Sequence, residues 1–337
     1  EKLGIPTVTV TSSDPKVKIP PPEDVVQEST RLAAIENVTA AFKSVEESGR
    51  LDVHAMQDVS DKILLDLIGR KENLVQLTDI RLHDTYTFAH SVNVAILSAM
   101  LGMLCHYTKK DLALLTLGAL LHDLGKIKVN LAILNKTTRL DQEEMSVMQA
   151  HPGDGARRIR DMGIMLPSNA LLAAIAEQHH ERVDGKGYPK GLTGEAIHRF
   201  GKIVAIADVY DALTSERPYK KAYTPNLAYN IMVNVDHGHF DENLLSLFFN
   251  NVAIYPVGTV VKTIYGFGIV THSDFGYTER PSICLFADHE GRKLPKAKRI
   301  DLRESKEKKV VEIVVSGIDL LHFIHELDVD PSIYLAE

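Results

Sequence analysis

Two aspartates interrupt stretches of sequence that otherwise have the apolar pattern of buried helices. Asp123 comes two residues after the apolar run 112–121, and Asp208 stands inside the apolar run 203–209. An uncompensated buried charge costs several kcal/mol, so a fold that buries these runs must bring a partner to each carboxylate. The two aspartates therefore exclude a plain apolar helical core.

Histidines are the candidate partners of these aspartates. Five of the fifteen histidines are candidate metal ligands: His90, His122, His151, His179 and His180. With the two aspartates they offer more ligands than one four- to six-coordinate ion can use, so two divalent metals fit the count better. Structural alternatives exist, because His179 and His180 can cap a helix C-terminus and His151 can end a helix before Pro152. These alternatives do not explain the aspartates.

The spacing of the apolar residues predicts a mainly α-helical protein. Apolar residues recur at helical spacing over 23–70, with a break near Gly49 that predicts two helices, and again over 74–249. Further on, β-branched runs are separated by Gly, Asp and Pro, at 259–264, 268–271, 282–286 and 310–315. The chain is therefore predicted to form a helical bundle with a helical N-terminal lead-in and a small β-rich C-terminal segment.

These changes in pattern predict three regions: 1–75, 76–255 and 256–337. The first is an accessory or linker segment that is mostly helical, the second holds the histidines, and the third is β-rich. Within the first, residues 5–10 alternate like a short strand, and the prolines of 18–22 favour an extended spacer. The chain begins at Glu1 without a methionine, so we expect sequence to be missing upstream.

Charge, hydropathy and cysteine content limit the partners and the compartment. A net charge of −7 argues against DNA or RNA binding, which needs clustered Lys and Arg, but it is compatible with a small phosphate ligand. The apolar stretch 92–105 contains Asn93 and Ser98 and is shorter than the roughly 20 residues that a bilayer requires, so no membrane span is predicted. Cys105 and Cys284 form no metal or redox motif, which favours the cytoplasm.

The order of these residues resembles the H…HD…D series of the HD superfamily of metal-dependent phosphohydrolases, formed here by His90, His122, Asp123 and Asp208. Two further segments, 179–192 and 207–220, resemble the HD-GYP subfamily of cyclic di-GMP phosphodiesterases. The match covers roughly residues 76–255. One departure is Val183, where the family often carries tryptophan, and looser packing behind the loop is expected there.

The resemblance implies a binuclear metal centre with an assigned ligand set. One metal would be held by His90, His122, Asp123 and Asp208, and the second by His151, His179 and His180. Asp123 would bridge both ions and, with Lys126, form the catalytic group. The family implies iron or manganese, whereas the His and Asp ligands by themselves suit several divalent ions. Lys126 also has a bland alternative as a solvated surface lysine.

The resemblance also implies substrate contacts, made by Lys186, Gly187, Tyr188, Pro189, Arg217 and Lys220. Arg217 and Lys220 would contact the phosphates, because a guanidinium offers a planar fork to phosphate oxygens and an ammonium a point charge. Tyr188 supplies an aromatic face and a hydroxyl. It can equally well pack the loop down, and the sequence does not decide between these roles.

Two more residues are expected to support the metal ligands. Asp211, one helical turn after Asp208, can orient a ligand or a water, although it can equally cap a turn. Some relatives with three metals carry a carboxylate one helical turn before the first ligand histidine. Tyr86 stands at that position here, and a neutral phenol is a poor ligand, so we expect two metals and a hydrogen-bonding role for Tyr86.

The function implied by the resemblance is hydrolysis of cyclic di-GMP to linear pGpG, and to GMP by a second cut. An HD-type nucleotidase and a catalytically inactive cyclic di-GMP sensor are the alternatives. The intact Gly187-Tyr188-Pro189 loop argues against the nucleotidase, and the filled ligand positions argue against the sensor. Activity on cyclic GMP-AMP, homodimerisation and signalling proteins bound through the loop are left open by the sequence.

Overall fold

The computed structural model describes residues 25–69, 86–162, 168–215, 222–307 and 311–315, and it confirms the predicted mainly α-helical class. The described residues form eleven α-helices: α1 Glu28–Ser48, α2 Val53–Gly69, α3 Tyr86–Leu104, α4 Lys109–Leu120, α5 Leu131–Leu134, α6 Gln142–Gln149, α7 His151–Asp161, α8 Asn169–Gln178, α9 Arg199–Thr214, α10 Pro225–Asn230 and α11 Glu242–Phe249. Shorter turns of helix are 3-10 at Leu124–Lys128, Gly194–Ala196 and Leu302–Glu304, and π at Ile231–Val235.

Local sequence explains several helix boundaries. Thr108 begins α4 by accepting a hydrogen bond from the amide of Asp111. Asp141 and Glu144 form a reciprocal capping box at the start of α6. The predicted break near Gly49 is confirmed, because α1 ends at Ser48 and α2 begins at Val53.

The described helices from α1 to α10 belong to one compact unit, which spans 24–74 and 79–248. Within it α3 packs against α1, α4 and α9, and α7 packs against α8 and the 3-10 helix 124–128. The two helices of the lead-in therefore pack directly on the helices that carry the histidines. The limits 75/76 and 255/256 stay predictions, although this grouping joins the lead-in to the histidine-bearing region rather than separating it.

The second unit contains a five-stranded antiparallel sheet among its described residues, in the order β4-β3-β2-β1-β5. Its strands are β1 Val260–Thr263, β2 Gly266–His272, β3 Ser282–Ala287, β4 Lys293–Asp301 and β5 Val311–Val315. Strands β1, β2, β3 and β5 confirm the predicted β-branched runs. Strand β4 was not predicted, because this edge strand is mostly exposed and rich in lysine and so lacks an apolar run.

Two further sequence predictions concern the N-terminal residues and a membrane span. The strand predicted for 5–10 and the spacer at 18–22 lie outside the described residues. Among the helices that the structure describes, none combines the length and the apolar composition that a bilayer crossing requires.

Candidate metal centre

Five elements of the helical unit bring the seven predicted metal ligands together. They contribute His90 from α3, His122 and Asp123 from the turn after α4, His151 from the start of α7, His179 and His180 from the end of α8, and Asp208 from α9. Six of the seven are buried, and the side chain of His180 is 24% exposed. The cluster therefore has one solvent-facing side, at His180.

The two carboxylate oxygens of Asp123 face different histidines. Its Oδ2 atom lies 3.4 Å from Nε2 of His122 and 3.9 Å from Nε2 of His90. Its Oδ1 atom lies 3.3 Å from Nε2 of His151 and 3.8 Å from Nε2 of His179. Each oxygen of Asp123 therefore faces a different pair of histidines, which fits the bridging role that the resemblance implies.

Asp208 also has two different neighbours. Its Oδ1 atom lies 3.0 Å from Nε2 of His90, and its Oδ2 atom lies 3.6 Å from Nδ1 of His180. The resemblance places Asp208 on one ion, together with His90, His122 and Asp123. The geometry adds the proximity to His180, which belongs to the other predicted set.

Three of the histidines are oriented by the same local device. Nδ1–H of His122 donates to the carbonyl of Ala119 at 2.7 Å, and the same bond joins His151 to Met148 at 2.6 Å and His179 to Ala176 at 2.8 Å. In each case the carbonyl lies three residues earlier in the chain. A carbonyl only accepts, so the proton is on Nδ1 and the lone pair of Nε2 faces the centre, as a metal ligand requires.

His90 is oriented by a side chain from a distant part of the sequence. Its Nδ1 atom lies 2.6 Å from Oδ2 of Asp211, which is 121 residues away along the chain. The Oδ1 atom of Asp211 accepts hydrogen bonds from Nδ2 of Asn93 at 2.9 Å and from the hydroxyl of Ser215 at 2.9 Å. Asp211 therefore lies where the sequence analysis expected a residue that orients a ligand.

The buried ligand atoms fit a pair of divalent cations. Among the described residues, Nε2 of His122 and Oδ1 of Asp123 are buried and make no hydrogen bond. Buried polar atoms without a partner are costly, and metal coordination would satisfy both. The potential ligands fall into two sets, one of His90, His122 and Asp123 and the other of His151, His179 and His180, with ligand atoms within 4.8 Å of one another in each set.

The electrostatics of the pocket favour the protonation states that metal binding needs. Burial lowers the pKa of His180 to about 3 against the opposing charge of Asp208, and burial together with the neighbouring histidines holds the pKa of His179 well below its usual value. Burial raises the pKa of Asp123, but the positive charge of Lys126 and the contact with His122 outweigh it, so the pKa lies well below the ordinary range. Neutral imidazoles and an ionised carboxylate are the forms that bind metal.

His90 behaves differently, because it lies between two carboxylates. Burial lowers its pKa, but the hydrogen bonds and negative charges of Asp208 and Asp211 raise it to about 9. Burial raises the pKa of Asp208, but the hydrogen bond with His90 outweighs it and holds the pKa well below its usual value. A cation at this position would compete with the proton on Nε2 of His90.

Lys126 lies beside the carboxylate of Asp123. Helix α4 ends at Leu120, and the 3-10 helix 124–128 follows. Nζ of Lys126 lies 2.6 Å from Oδ2 of Asp123, three residues away. A Cβ atom on Gly125 would lie 1.9 Å from the carbonyl oxygen of His151. This glycine lets the Asp123 turn approach the start of α7.

The Gly187-Tyr188-Pro189 loop packs directly on a ligand. The ring of Tyr188 lies over the ring of His180, with centroids 4.8 Å apart and an angle of 31° between the planes. The amide of Tyr188 donates to the carbonyl of His180 at 3.1 Å, and a Cβ atom on Gly187 would lie 2.4 Å from the nitrogen of Arg182. These contacts support the packing role for Tyr188. Lys186 is exposed, and its Nζ lies 3.7 Å from Asp184.

Two residues near the site were not among the predicted site residues. The buried carboxylate of Glu181 accepts hydrogen bonds from the amides of Lys190 at 2.7 Å and Leu192 at 2.8 Å, and so closes the loop. Asn93 contacts Asp211 as described above. Both carried a sequence signal, since Glu181 lies inside the histidine motif and Asn93 is a polar residue in an apolar helix.

Three predicted residues cannot be placed. Arg217 and Lys220 lie outside the described residues, and so does the side chain of Tyr86, although Tyr86 begins α3. The predicted phosphate contacts and the role of Tyr86 stay predictions. The predicted metal ligands, Lys126, Asp211 and the Gly187-Tyr188-Pro189 loop all lie at one centre.

Comparisons with known proteins agree with this centre. A protein-family model described as an HD domain matches residues 70–244. A cyclic di-GMP phosphodiesterase of Pseudomonas aeruginosa is 34% identical over 250 residues, which cover 74% of this chain and 59% of that protein. A 3'3'-cGAMP-specific phosphodiesterase of Vibrio cholerae is 37% identical over 156 residues, which cover 46% of this chain and 33% of that protein.

A solved structure shares the fold. An HDG"Y"P protein of Bdellovibrio bacteriovorus aligns with a TM-score of 0.54 and 23% identity, over 65% of this chain and 69% of that one. This likeness confirms the predicted HD-type helical bundle. The chain spans 59% of the length of the Pseudomonas relative and 33% of the length of the Vibrio relative.

Proposed function

We propose, from the premise that this chain belongs to the HD domain family, that it is a metal-dependent phosphodiesterase which hydrolyses cyclic di-GMP to linear pGpG, and to GMP by a second cut. The observation that carries the proposal is the bridging position of Asp123, whose two oxygens face the two sets of histidines. The similarity to the Pseudomonas cyclic di-GMP phosphodiesterase supports the substrate.

The ligand set and its chemistry follow from the geometry of the cluster. One cation would be held by His90, His122, Asp123 and Asp208, and the other by His151, His179, His180 and Asp123. Two divalent cations, iron or manganese by the family resemblance, would supply an activated water and neutralise charge on the phosphate. The buried carboxylates of Asp123 and Asp208 would hold the two cations in place.

The residues around the ligands would bind and orient the phosphodiester. Lys126 carries a positive charge beside Asp123 and is partly exposed, so its ammonium can donate to a phosphate oxygen while it holds the carboxylate. Tyr188 lies over His180 on the exposed side of the cluster, where its hydroxyl and ring edge can meet a guanine or ribose. Lys186, Gly187 and Pro189 would complete this wall, and Arg217 and Lys220 would contact the second phosphate.

Cyclic GMP-AMP is the second candidate substrate, because the Vibrio relative is specific for 3'3'-cGAMP and is 37% identical over 156 residues. The two messengers differ in one base, so the metal centre would cleave either, and contacts to the base would select between them. We assign cyclic di-GMP as the preferred substrate.

The experiment that tests the function is a turnover assay with four substrates in parallel: cyclic di-GMP, 3'3'-cGAMP, pGpG and GMP. Protein purified without oxygen and loaded with iron or manganese should convert cyclic di-GMP fastest and leave GMP intact. Chelator treatment should abolish turnover, and returning the metal should restore it. Release of phosphate from GMP with no cleavage of either cyclic dinucleotide would replace the proposal with a nucleotidase, and tight binding without cleavage would replace it with a sensor.

Three further statements belong to the proposal. A metal count of two rests on the two ligand sets, and elemental analysis tests it. A cytoplasmic location rests on the cysteine pattern of the sequence. Homodimerisation and a signalling partner bound through the Gly187-Tyr188-Pro189 loop are tested by light scattering of the purified chain with and without substrate.

A further inference from the structure

The described part of α1 lies outside residues 70–244, the part of the chain that matches the HD domain. This helix nevertheless packs on two of the elements that carry metal ligands. Phe42 of α1 contacts Phe88 of α3 edge to face, with ring centroids 5.5 Å apart. Nη2 of Arg158 on α7 donates to the carbonyl of Val45 at 2.5 Å. Helix α1 is therefore built into the unit that holds the centre.

A buried arginine of α1 points at the group that orients His90. Arg31 is 3% exposed, and its Nη1 donates to Oδ1 of Asn93 at 2.5 Å. Nδ2 of Asn93 donates to Oδ1 of Asp211, and Oδ2 of Asp211 accepts from Nδ1–H of His90. A continuous series of hydrogen bonds thus joins α1 to a metal ligand.

The donors and acceptors in this series of hydrogen bonds allow only one orientation of the Asn93 amide. A guanidinium only donates and a carboxylate only accepts, so the amide of Asn93 can satisfy both neighbours in a single orientation. Its oxygen must face Arg31 and its nitrogen must face Asp211. Aspartate at position 93 could not donate to Asp211, and alanine would leave both neighbours without this contact. The hydrogen bond from Arg31 therefore fixes the orientation of the Asn93 amide, and the same amide donates to Asp211.

We infer that Arg31 is a positioning residue of the metal centre, which acts through Asn93 and Asp211 to hold the imidazole of His90 with Nε2 toward the metal. The inference rests on the proposed metal site and adds to it an element from outside the family match. Arg31 does not touch the metal or the substrate. Its effect should appear in the affinity of the metal set that contains His90.

The test is a double-mutant cycle on metal affinity rather than on turnover alone. The dissociation constant for Mn²⁺ is measured by competition with a chromogenic chelator for the wild-type chain, Arg31→Ala, Asn93→Ala and the double variant. We expect Asn93→Ala to weaken binding about tenfold and Arg31→Ala about fivefold, as for other groups that support a ligand. Because Arg31 acts through Asn93, the double variant should bind about as weakly as Asn93→Ala alone.

Control variants separate positioning from folding. Lys43→Ala removes an exposed cation of the same helix and should leave the affinity unchanged. Arg158→Ala removes the hydrogen bond from α7 to Val45 of α1 and should lower the melting temperature of the metal-free chain without the same loss of affinity. Arg31→Met keeps the apolar stem and replaces Arg31→Ala if that variant does not fold. Asn93→Asp keeps a partner for Arg31 and should still lose affinity.

The outcomes distinguish this inference from the proposed function. A wild-type chain that binds no Mn²⁺ or other divalent ion overturns the metal site and the inference with it. A wild-type chain that binds metal while Arg31→Ala and Arg31→Met bind equally tightly overturns the inference alone. Independent, multiplicative losses in the double variant would also overturn it, because they would make Arg31 a general structural residue.

Discussion

The ligands of the centre differ in what holds them. Three histidines, His122, His151 and His179, are oriented by carbonyls three residues earlier in their own chain segments. His90 is oriented by Asp211, 121 residues away, and through it by Asn93 and α1. The first group depends on local backbone geometry, and the second on the packing of α1, α3 and α9. Changes to the two groups should therefore fail in different ways.

The largest effect is expected when Asp123, the residue common to both ligand sets, is removed together with His122. His122→Ala with Asp123→Ala should abolish turnover and lower metal content sharply, because Asp123 faces all four of the nearest histidines. The helices keep their apolar faces, so the helical circular dichroism should survive in large part. The exposed pair His54→Ala with Asp58→Ala on α2 is the matched control and should retain both metal and turnover. Near-normal hydrolysis by the site variant would remove the metal assignment.

The histidines that local carbonyls orient should be disturbed by a steric clash at Gly125. Gly125→Ala would place a Cβ atom 1.9 Å from the carbonyl of His151 and 2.6 Å from the nitrogen of Gly155, both backbone atoms that cannot rotate away. We expect the turn of Asp123 to separate from α7, with a loss of metal affinity of about a hundredfold or more and destabilisation of about 1 to 3 kcal/mol. Gly153→Ala on α7, where a Cβ atom meets nothing within 4 Å, is the control.

The distant group should fail by a change in hydrogen-bond chemistry. Asp211 accepts from His90, Asn93 and Ser215, whereas asparagine offers one acceptor oxygen and would turn its amide toward at least one donor. Asp211→Asn should weaken metal binding about 10- to 100-fold while the fold is kept. Isothermal titration with Mn²⁺ measures the loss. Asp161→Asn at the exposed end of α7 should have no effect, and equal losses in both variants would contradict the assignment.

A residue outside both groups should affect the substrate and not the metal. Arg217→Ala should lower kcat/KM for cyclic di-GMP about ten- to a hundredfold, because a charged hydrogen bond to phosphate contributes about 1.5 to 3 kcal/mol. Metal content should stay at the wild-type value. Lys221→Ala removes a nearby lysine with no assigned contact, so it serves as the control and should change little. Loss of metal together with activity would make Arg217 a structural residue.

The smallest effect tests the end of the distant series. Ser215 donates one of the hydrogen bonds that Asp211 accepts, at 2.9 Å, and it is partly exposed. Ser215→Ala should weaken Mn²⁺ binding about two- to threefold, because Asp211 keeps its hydrogen bonds to His90 and Asn93 and solvent can replace the lost hydroxyl. Thr214→Ala is the control, because its hydroxyl donates to the carbonyl of Tyr210 and away from Asp211. A loss as large as that of Asp211→Asn would show that Ser215 has a further role.

Several features of the two units could be predicted from sequence, because they depend on short-range patterns of residues. The break between α1 and α2 and the β-branched strands depend on residue properties within a few positions of one another. The lysine-rich strand β4 was missed because its partners, rather than its own composition, make it a strand. The close approach of Gly125 to His151 could not be predicted from sequence, because it is a contact between distant segments.

The sequence by itself predicted the ligand types, because buried charges without partners are too costly to occur by chance in apolar helices. The structure shows the orientation of His122, His151 and His179, because each pairs with a carbonyl three residues away. Only the tertiary structure decided which oxygen of Asp123 faces which histidine and which helix completes the support of His90. Arg31 and His90 lie 59 positions apart by their numbering, and hydrogen bonds between segments that distant depend on packing and leave no local pattern.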